Sequence, residues 1–272
     1  MIFFEQTHNM PMLPKVLQEV MELLATDDVD IKPLADKINH DQVLTARVLR
    51  MANSAYFGFS RKVGAIEEAV SLIGLAKLET LVVASGVTSA FTAVPGLDLK
   101  RFWQHSLVTA SIARELAKEL GFDQDSAYIA GLMHTIGQLP INMVIPKAGA
   151  DIEAVCKGRS VLERHEMEHD MLGIDNNVIG EKLAKHWNFP EEISRVIRYY
   201  TDPLNRDACD LAPVIYVAAH VAFDLESMQQ STYIAETLSM DVADKLGLED
   251  TDALAERIDS CRVFVAEAKA YL

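Results

Sequence analysis

Hydrophobic positions recur along nearly the whole chain at the three- and four-residue spacing of an amphipathic helix. Val16, Leu17, Val20, Leu23 and Leu24 form one such stripe, and residues at these offsets share one helix face. Period-two alternation bounded by Asn-Gly or Asp-Gly, the pattern of β-hairpins, does not occur in the sequence. The pattern therefore predicts an all-α fold.

Capping and helix-breaking residues suggest where the predicted helices begin and end. In the first part of the chain, helices are expected to begin at Pro14 and after Asp30, and to cover residues 41–53, 66–73 and 75–91. Beyond them, a long helix should follow Asp98 and end at Leu120. The next should start after an Asp125 cap and run through His134. Further amphipathic segments are predicted at 151–157, 161–172, 177–187, 190–200, 211–225, 241–246 and 252–271.

The pair Pro95-Gly96 is the clearest break in this helical pattern. We place a boundary there, which gives an amino-terminal helical subdomain at 1–95 and a carboxy-terminal one at 96–272. The amphipathic segment 232–272 is expected to pack back on the core, and the alternative is that it offers a surface for a homodimer. No repeat of fixed period is found in the sequence.

Composition and charge narrow the class of protein. Half of the 272 residues are hydrophobic and 24% are charged, which is typical of an ordinary globular protein. The 25 Lys and Arg against 40 Asp and Glu give a net charge of −15. This charge opposes attraction to a phosphate backbone or an anionic membrane, so neither nucleic acid nor a membrane is an expected partner.

Cysteine usage and the amino terminus predict a cytoplasmic protein. Cys156, Cys209 and Cys261 lie far apart without a CxxC spacing, and three is an odd number for a disulfide framework. The amino terminus, MIFFEQTHNMP, lacks the basic region of a secretory signal. Residues 80–97 and 126–146 carry no charge, but polar residues and prolines interrupt both segments. We interpret both as buried core helices.

The string His165-Glu166-Met167-Glu168-His169 matches the H-E-x-x-H pattern of zinc proteases, in which two imidazoles one turn apart bind the metal. Arg164, Glu168 and Asp170 crowd this string with charge, which is typical of a solvated helix face. A third ligand is not obvious, although Glu181 and His186 follow downstream. We interpret the segment as an exposed helix.

His105 and His134 are a quieter pair, since each lies within an apolar predicted helix. Buried imidazoles need hydrogen-bond partners for both ring nitrogens, so polar groups should converge on them. From chemistry alone, a pair of satisfied core histidines is favoured over a metal site.

Longer stretches resemble a known family. The segment FWQHS followed by YIAGLMHTIG resembles the HD superfamily of metal-dependent phosphohydrolases. The whole chain is similar to the HDOD family, the HD-related output domain of bacterial signalling proteins. The similarity lies in LPKVLQEVMELL, in the segments 34–58 and 66–83, and in LMHTIGQL, 172–193 and VIRYYTDP. The resemblance implies a two-part helical fold whose carboxy-terminal half is HD-like, and usually no working HD metal site.

The ligand positions of the HD family can be compared with this chain one at a time. His105 matches the first ligand and His134 matches the His of the His-Asp doublet, but Thr135 stands where the doublet has Asp. A neutral hydroxyl is a poor ligand and adds no charge to balance a cation.

Three further positions complete the comparison. Asn176 and the pair Tyr199-Tyr200 stand where related sequences often have histidines. His220 lies in the region of the last Asp, and Asp224 one turn later is a displaced substitute. The resemblance thus implies a vestigial pocket of His105, His134, Thr135, Asn176, Tyr199, Tyr200 and His220.

The resemblance implies a cytoplasmic regulatory protein that acts by binding signalling proteins, without a cofactor and without catalysis. The alternative is a phosphohydrolase acting on a nucleotide or phosphoester. It would use Fe, Mn, Zn or Ni held by His105, His134, His220 and Asp224. A weaker third hypothesis is a sensor that binds a small ligand in the same pocket.

The segment TARVLRMANSAYFG also carries candidate residues. Arg47 and Arg50 lie three residues apart on a predicted helix and could bind a carboxylate or phosphate. We favour a structural role for them, with Asn53 ending the helix and Tyr56 and Phe57 following as an aromatic plug. No glycine-rich phosphate loop and no G-x-S-x-G elbow is present in the sequence.

Overall fold

The computed structural model of the chain describes residues 13–24, 30–53 and 61–271, and all of the regular secondary structure in those ranges is helical. The prediction of an all-α fold is confirmed. Within these ranges the chain divides into two compact units, one ending at Thr92 and the other spanning Ala93–Ala270. The predicted boundary at Pro95-Gly96 lies three residues beyond this division.

The first unit contains five helices in the described residues: α1 (Lys15–Leu24), α2 (Ile31–Asn39), α3 (Gln42–Ala52), α4 (Ile66–Ile73) and α5 (Leu75–Ala90). Asp30 and Asp41 cap α2 and α3, because their carboxylates accept backbone N–H groups of the first turn. The fully buried Leu17 of α1 packs directly on Gly86 of α5, where a Cβ atom would lie 2.3 Å from the leucine side chain. Small and large residues thus interlock in this core.

Asn53 ends α3 as predicted and also fixes the chain that follows. Its side-chain amide donates to the carbonyls of Leu49 and Val63 and accepts from the Val63 N–H at 2.7 Å. Arg47 donates to the Thr88 hydroxyl at 3.3 Å, which is a structural contact within this unit. Tyr56 and Phe57 lie outside the described residues.

The second unit is built from the remaining helices: α6 (Leu99–Leu120), α7 (Gln124–Met133), α8 (Gln138–Val144), α9 (Pro146–Val155), α10 (Val161–Leu172), α11 (Asn176–His186), α12 (Glu191–Tyr199), α13 (Ala212–Glu226), α14 (Ser231–Thr237), α15 (Met240–Leu246), α16 (Thr251–Ser260) and α17 (Arg262–Tyr271). The helix α6 packs along both α7 and α13. It is therefore the central helix of this unit.

Two glycines permit the close approach of helices that builds the site. A Cβ atom at Gly131 of α7 would lie 2.8 Å from the Cα of Ala110 in α6. At Gly137, after α7, it would lie 1.9 Å from the carbonyl oxygen of Asn176 in α11. Real Cβ atoms do not approach so closely, so glycine at both positions lets α6, α7 and α11 meet around His134.

Several predicted boundaries were wrong in the second unit. Asp123, not Asp125, caps α7, because its carboxylate accepts the Ser126 N–H at 2.7 Å. The helix predicted from 151 begins at Pro146, whose fixed φ suits the first turn. The helices α8 and α14 were not given bounds of their own, although α8 lies within the segment 126–146 that was interpreted as buried core helix. The segment predicted as one helix at 252–271 is broken at Cys261.

No helix in the described residues is long and apolar enough to cross a membrane.

Candidate functional site

His105 lies on α6 and is held by a carboxylate from a distant part of the chain. Its Nδ1 donates to Glu226 Oε2 of α13 at 2.7 Å, and the two side chains are only 12% and 19% exposed. Its other ring nitrogen, Nε2, is buried and has no hydrogen-bond partner among the described residues. The imidazole is thus fixed in orientation with one ring nitrogen left over.

His134 follows α7 and is completely buried. Its Nδ1 lies 2.6 Å from the carbonyl oxygen of Gly131, which can only accept, so Nδ1 carries the hydrogen. Burial, reinforced by the neighbouring His105, lowers the pKa of His134 from 6.5 to about 3. The ring is neutral at pH 7, and its buried Nε2 is a lone pair without a partner in the described residues.

The structure brings the two imidazoles together with Tyr200. The ring centroids of His105 and His134 are 5.4 Å apart, and Tyr200 meets His134 edge-on at 5.1 Å. Tyr200 is fully buried, and burial raises the pKa of its phenol, so the ring stays neutral. Its neighbour Tyr199 instead lies under the Arg198 guanidinium, 5.4 Å from ring centroid to carbon, and is not part of this cluster.

Thr135 and His105 line a cavity of about 400 Å³ within the second unit. The Thr135 hydroxyl is buried without a hydrogen-bond partner among the described residues, and Thr135 is 1% exposed. Charged side chains make up much of the remaining lining: Asp98, Arg101, Glu153, Lys157, Arg159, Arg164 and Glu226. We call the buried end of the cavity, formed by Thr135 and His105, its floor, and the exposed end with Arg101, Lys157 and Arg159 its mouth.

A buried charge network stands beside this cavity. Glu168 is 0% exposed and accepts from Arg164 Nε at 2.6 Å and from the Asn176 backbone and side-chain amides at 2.6 and 2.8 Å. The Arg164 guanidinium also donates to Glu153 at 2.6 Å. Burial alone would lower the pKa of Arg164, but Glu168 and Glu153 outweigh it and the pKa is raised. Arg164 therefore stays charged.

This network corrects the prediction that 165–169 lies on a fully solvated helix face. Arg164 and Glu168 point into the protein, since each satisfies the other and Asn176 completes the set. The two histidines of the H-E-x-x-H string lie elsewhere: His165 Nδ1 bonds to the Leu162 carbonyl, and His169 is exposed.

His220 contacts α14 and Asp224. His220 Nε2 lies 3.2 Å from the Ile234 carbonyl oxygen and 3.3 Å from the Thr237 hydroxyl, both in α14. Asp224 lies 3.6 Å from the same nitrogen. Burial raises the pKa of Asp224, and His220 opposes that effect. The structure thus pairs His220 with Asp224.

The donor set around His105 does not fit a hydrolytic metal ion. Two imidazole Nε2 atoms have no hydrogen-bond partner among the residues that the structure describes, but Thr135 supplies no carboxylate and Glu226 is bonded to the opposite nitrogen of His105. Catalytic zinc normally has three protein ligands. In the described part of the chain, no three His, Cys, Asp or Glu side chains are grouped so that they could hold a metal.

Sequence reasoning missed the partners that fix the site. Glu226 is 121 positions away from His105 in the chain, and no periodicity links the two. Lys157 and Arg159 flank Gly158 in a turn after α9, where Gly158 has a φ of +79°. The run Lys-Gly-Arg was a visible signal of a basic turn, but its place at the cavity depends on the fold.

The fold and the site define a two-unit helical protein in which His105 and His134 lie side by side. The family model described as "HDOD domain" matches residues 10–203, which is most of the chain. The chain belongs to the HDOD family.

Solved structures agree with this assignment. A candidate phosphohydrolase from Shewanella amazonensis SB2B is 32% identical, with a TM-score of 0.82 over 100% of this chain and 98% of that one. An HDOD domain protein of unknown function from Geobacter sulfurreducens is 25% identical, with a TM-score of 0.81 over 100% and 97%. Among sequence relatives, an uncharacterized protein of Treponema pallidum (strain Nichols) is 28% identical over 72% of this chain. The match spans only 38% of that relative's length.

Proposed function

We propose that this HDOD protein is a cytoplasmic regulatory component of a signalling system, which acts by binding another protein and does not hydrolyse phosphoesters. The observation that carries the proposal is Thr135. At the position where HD enzymes hold a carboxylate, this chain has a buried hydroxyl beside the neutral imidazole of His134. Without that negative charge, a divalent cation is poorly neutralised.

The acidic surface indicates what kind of partner would bind. With a net charge of −15, the chain favours partners with basic or apolar surfaces over polyanions. A second copy of the chain carries the same negative charge, so a homodimer would have to pair apolar surfaces. Light scattering tests whether it forms.

The alternative is a metal-dependent phosphohydrolase, and one observation favours it. Both His105 and His134 hold Nδ1 against an acceptor and leave Nε2 free of protein partners in the described residues. Metal-binding imidazoles are usually oriented in this way. The Shewanella amazonensis relative, 32% identical, is also described as a candidate phosphohydrolase.

Metal content and turnover distinguish the two hypotheses. The full chain is purified without chelator, its Fe, Mn, Zn and Ni are measured, and phosphodiester and nucleotide hydrolysis is assayed with each metal added. We expect metal well below one ion per chain and no turnover above that of His134→Ala. Stoichiometric metal with turnover lost in His134→Ala, but kept in the exposed-site control His169→Ala, would overturn the proposal.

The role of Thr135 can be tested directly by restoring the missing charge. We expect Thr135→Asp to bind more divalent metal than the natural chain, and Thr135→Asn, of similar size but uncharged, to bind no more. Equal metal binding by all three proteins would show that the hydroxyl is not the cause.

Binding to a protein partner is tested by a separate experiment. Isolation of the tagged chain from its host after crosslinking should recover one specific protein in stoichiometric amount.

A further inference from the structure

The cavity lined by His105 has more basic than acidic side chains, and its acidic side chains already have hydrogen-bond donors. Four of its lining residues are basic and three are acidic, but each acidic side chain already accepts a hydrogen bond. Asp98 accepts from the Arg101 backbone N–H, Glu153 from Arg164, and Glu226 from His105. The negative charges are therefore engaged inside the protein.

Three of the basic side chains are not engaged in this way. Arg101, Lys157 and Arg159 are exposed at the mouth of the cavity, and none forms an ion pair or side-chain hydrogen bond with any residue that the structure describes. The turn with Gly158 at positive φ places two of them on either side of one residue. In a chain of net charge −15, this is a local concentration of positive charge.

The floor of the same cavity presents polar atoms without partners. Thr135 Oγ1 and His105 Nε2 are buried and find no hydrogen-bond partner among the described residues, although buried polar groups are normally satisfied. A hydroxyl donates or accepts, and His105 Nε2 can form one further hydrogen bond. The floor can thus bind the polar part of a ligand while the mouth binds an anionic part.

The size of the cavity limits the ligand. A volume of about 400 Å³ lies within the range of ~300–1,000 Å³ that is usual for small-molecule sites. It suits one small molecule of about the size of a mononucleotide, but not a polymer.

We infer that this cavity binds a small phosphorylated molecule without a metal ion, with Arg101, Lys157 and Arg159 supplying the positive charge at its phosphate. Arginine and lysine side chains bind phosphate through charge-assisted hydrogen bonds. The inference rests on the proposed non-hydrolytic role, because it assigns to side chains the neutralisation of phosphate that a cation supplies in a hydrolase.

The test is calorimetric titration of the full chain in EDTA with AMP, pyrophosphate and inorganic phosphate, and with adenosine as the uncharged comparison. We expect AMP to bind, adenosine to bind at least about tenfold more weakly, and the affinity for AMP to fall as NaCl is raised. Comparison of AMP with pyrophosphate and phosphate shows whether the site takes a phosphoester or a free phosphate. No binding of any of the three tighter than about 10 mM overturns the inference.

Matched variants locate the binding. The double variant Lys157→Gln with Arg159→Gln should weaken AMP binding by about tenfold or more. The control, Lys100→Gln with Lys147→Gln, removes the same charge from exposed positions of the second unit outside the cavity lining. It should change the affinity by less than about threefold. Equal losses in both double variants would overturn the inference.

The floor is tested separately by Thr135→Val, which keeps the shape and removes the hydroxyl. It should weaken AMP binding severalfold, and unchanged AMP affinity would exclude Thr135 from the site. The proposed function is tested on the same proteins after EDTA is removed and divalent metal is added. Release of phosphate from AMP under these conditions would overturn the non-hydrolytic role. Failure to bind any probe would overturn only this inference.

Discussion

At the scale of single residues, the protonation of His134 is set by its surroundings. The ring is completely buried, its Nδ1 is committed to the Gly131 carbonyl, and His105 lies beside it. A proton on Nε2 would have no acceptor in the described structure and would face a second imidazole. Folding therefore favours the neutral form of His134 and lowers its pKa below the ordinary value of 6.5.

This difference predicts an acid sensitivity that belongs to one side chain. The pKa of His134 is lowered to about 3 in the fold from 6.5, so between these values only the unfolded chain binds the proton. Stability from this group is present above pH 6.5 and is lost as the pH falls toward 3. From pH 7.5 to 5.5, the natural chain should lose about 1.4 kcal/mol more unfolding free energy than His134→Gln.

Urea denaturation of both proteins at the two pH values measures this difference. His169→Gln is the control, since that histidine is exposed on α10, and its pH dependence should follow the natural chain. An identical loss in the His134→Gln protein would show that another group controls the acid sensitivity.

Replacing the two carboxylates that bind Arg164, Glu168 and Glu153, should destabilise the fold by unequal amounts. Glu168→Gln removes a buried charge that accepts three hydrogen bonds and turns an amide N–H₂ toward donors. It should destabilise the fold by about 3 kcal/mol or more. Glu153, the other partner of Arg164, has a side chain that is 27% exposed. Glu153→Gln should therefore lower the unfolding free energy by about 1 kcal/mol or less. Chemical denaturation of both variants compares them, and equal losses would contradict the buried network.

At the scale of secondary-structure elements, the site depends on close approach between α6, α7 and α11. Gly137 tests this dependence without a backbone complication, because its φ of −66° suits any residue. In Gly137→Ala, the new Cβ would lie 1.9 Å from the Asn176 carbonyl oxygen. The helix α11 must then shift, at a cost of about 3 kcal/mol.

Thermal denaturation followed by circular dichroism measures the effect of Gly137→Ala. The matched control is Gly64→Ala, where nothing lies within 4 Å of the new Cβ atom and φ is not positive. It should change the unfolding free energy by about 1 kcal/mol or less. A Gly137→Ala protein as stable as the control would mean that the two segments are not in close contact.

The same elements show what could be predicted from the sequence. Periodicity and caps are local properties, so α4 and α10 were placed at their observed bounds. The seven-residue helices α8 and α14 were not given bounds of their own, although α15, of the same length, was predicted to within one residue of its observed start. Helix length alone therefore does not decide which elements the sequence reveals. In the site, His105 and His134 were found from their apolar context and the family resemblance. Glu226 was not found, because its partner His105 lies on another helix. The burial of Glu168 was not found, because it depends on Asn176 of α11 as well as on Arg164 of its own helix.

At the scale of the whole molecule, the total charge and the local charge have opposite signs. The chain carries a net charge of −15, whereas the unengaged side chains at the cavity mouth are basic. A small anion that enters the cavity is governed by the nearby side chains, because screening limits distant charges to about 8 Å at physiological salt. A polyanion must also approach the acidic surface around the mouth.

This contrast predicts that the protein binds small phosphates but not DNA. A 20-base-pair duplex should show no shift in an electrophoretic mobility assay at micromolar protein and physiological salt, because specific and non-specific DNA binding both draw on extended positive surfaces. The duplex should likewise fail to displace AMP from the cavity. Displacement of AMP by DNA at a comparable phosphate concentration would contradict this prediction, since it would mean that the basic mouth is open to a polymer despite the acidic surroundings.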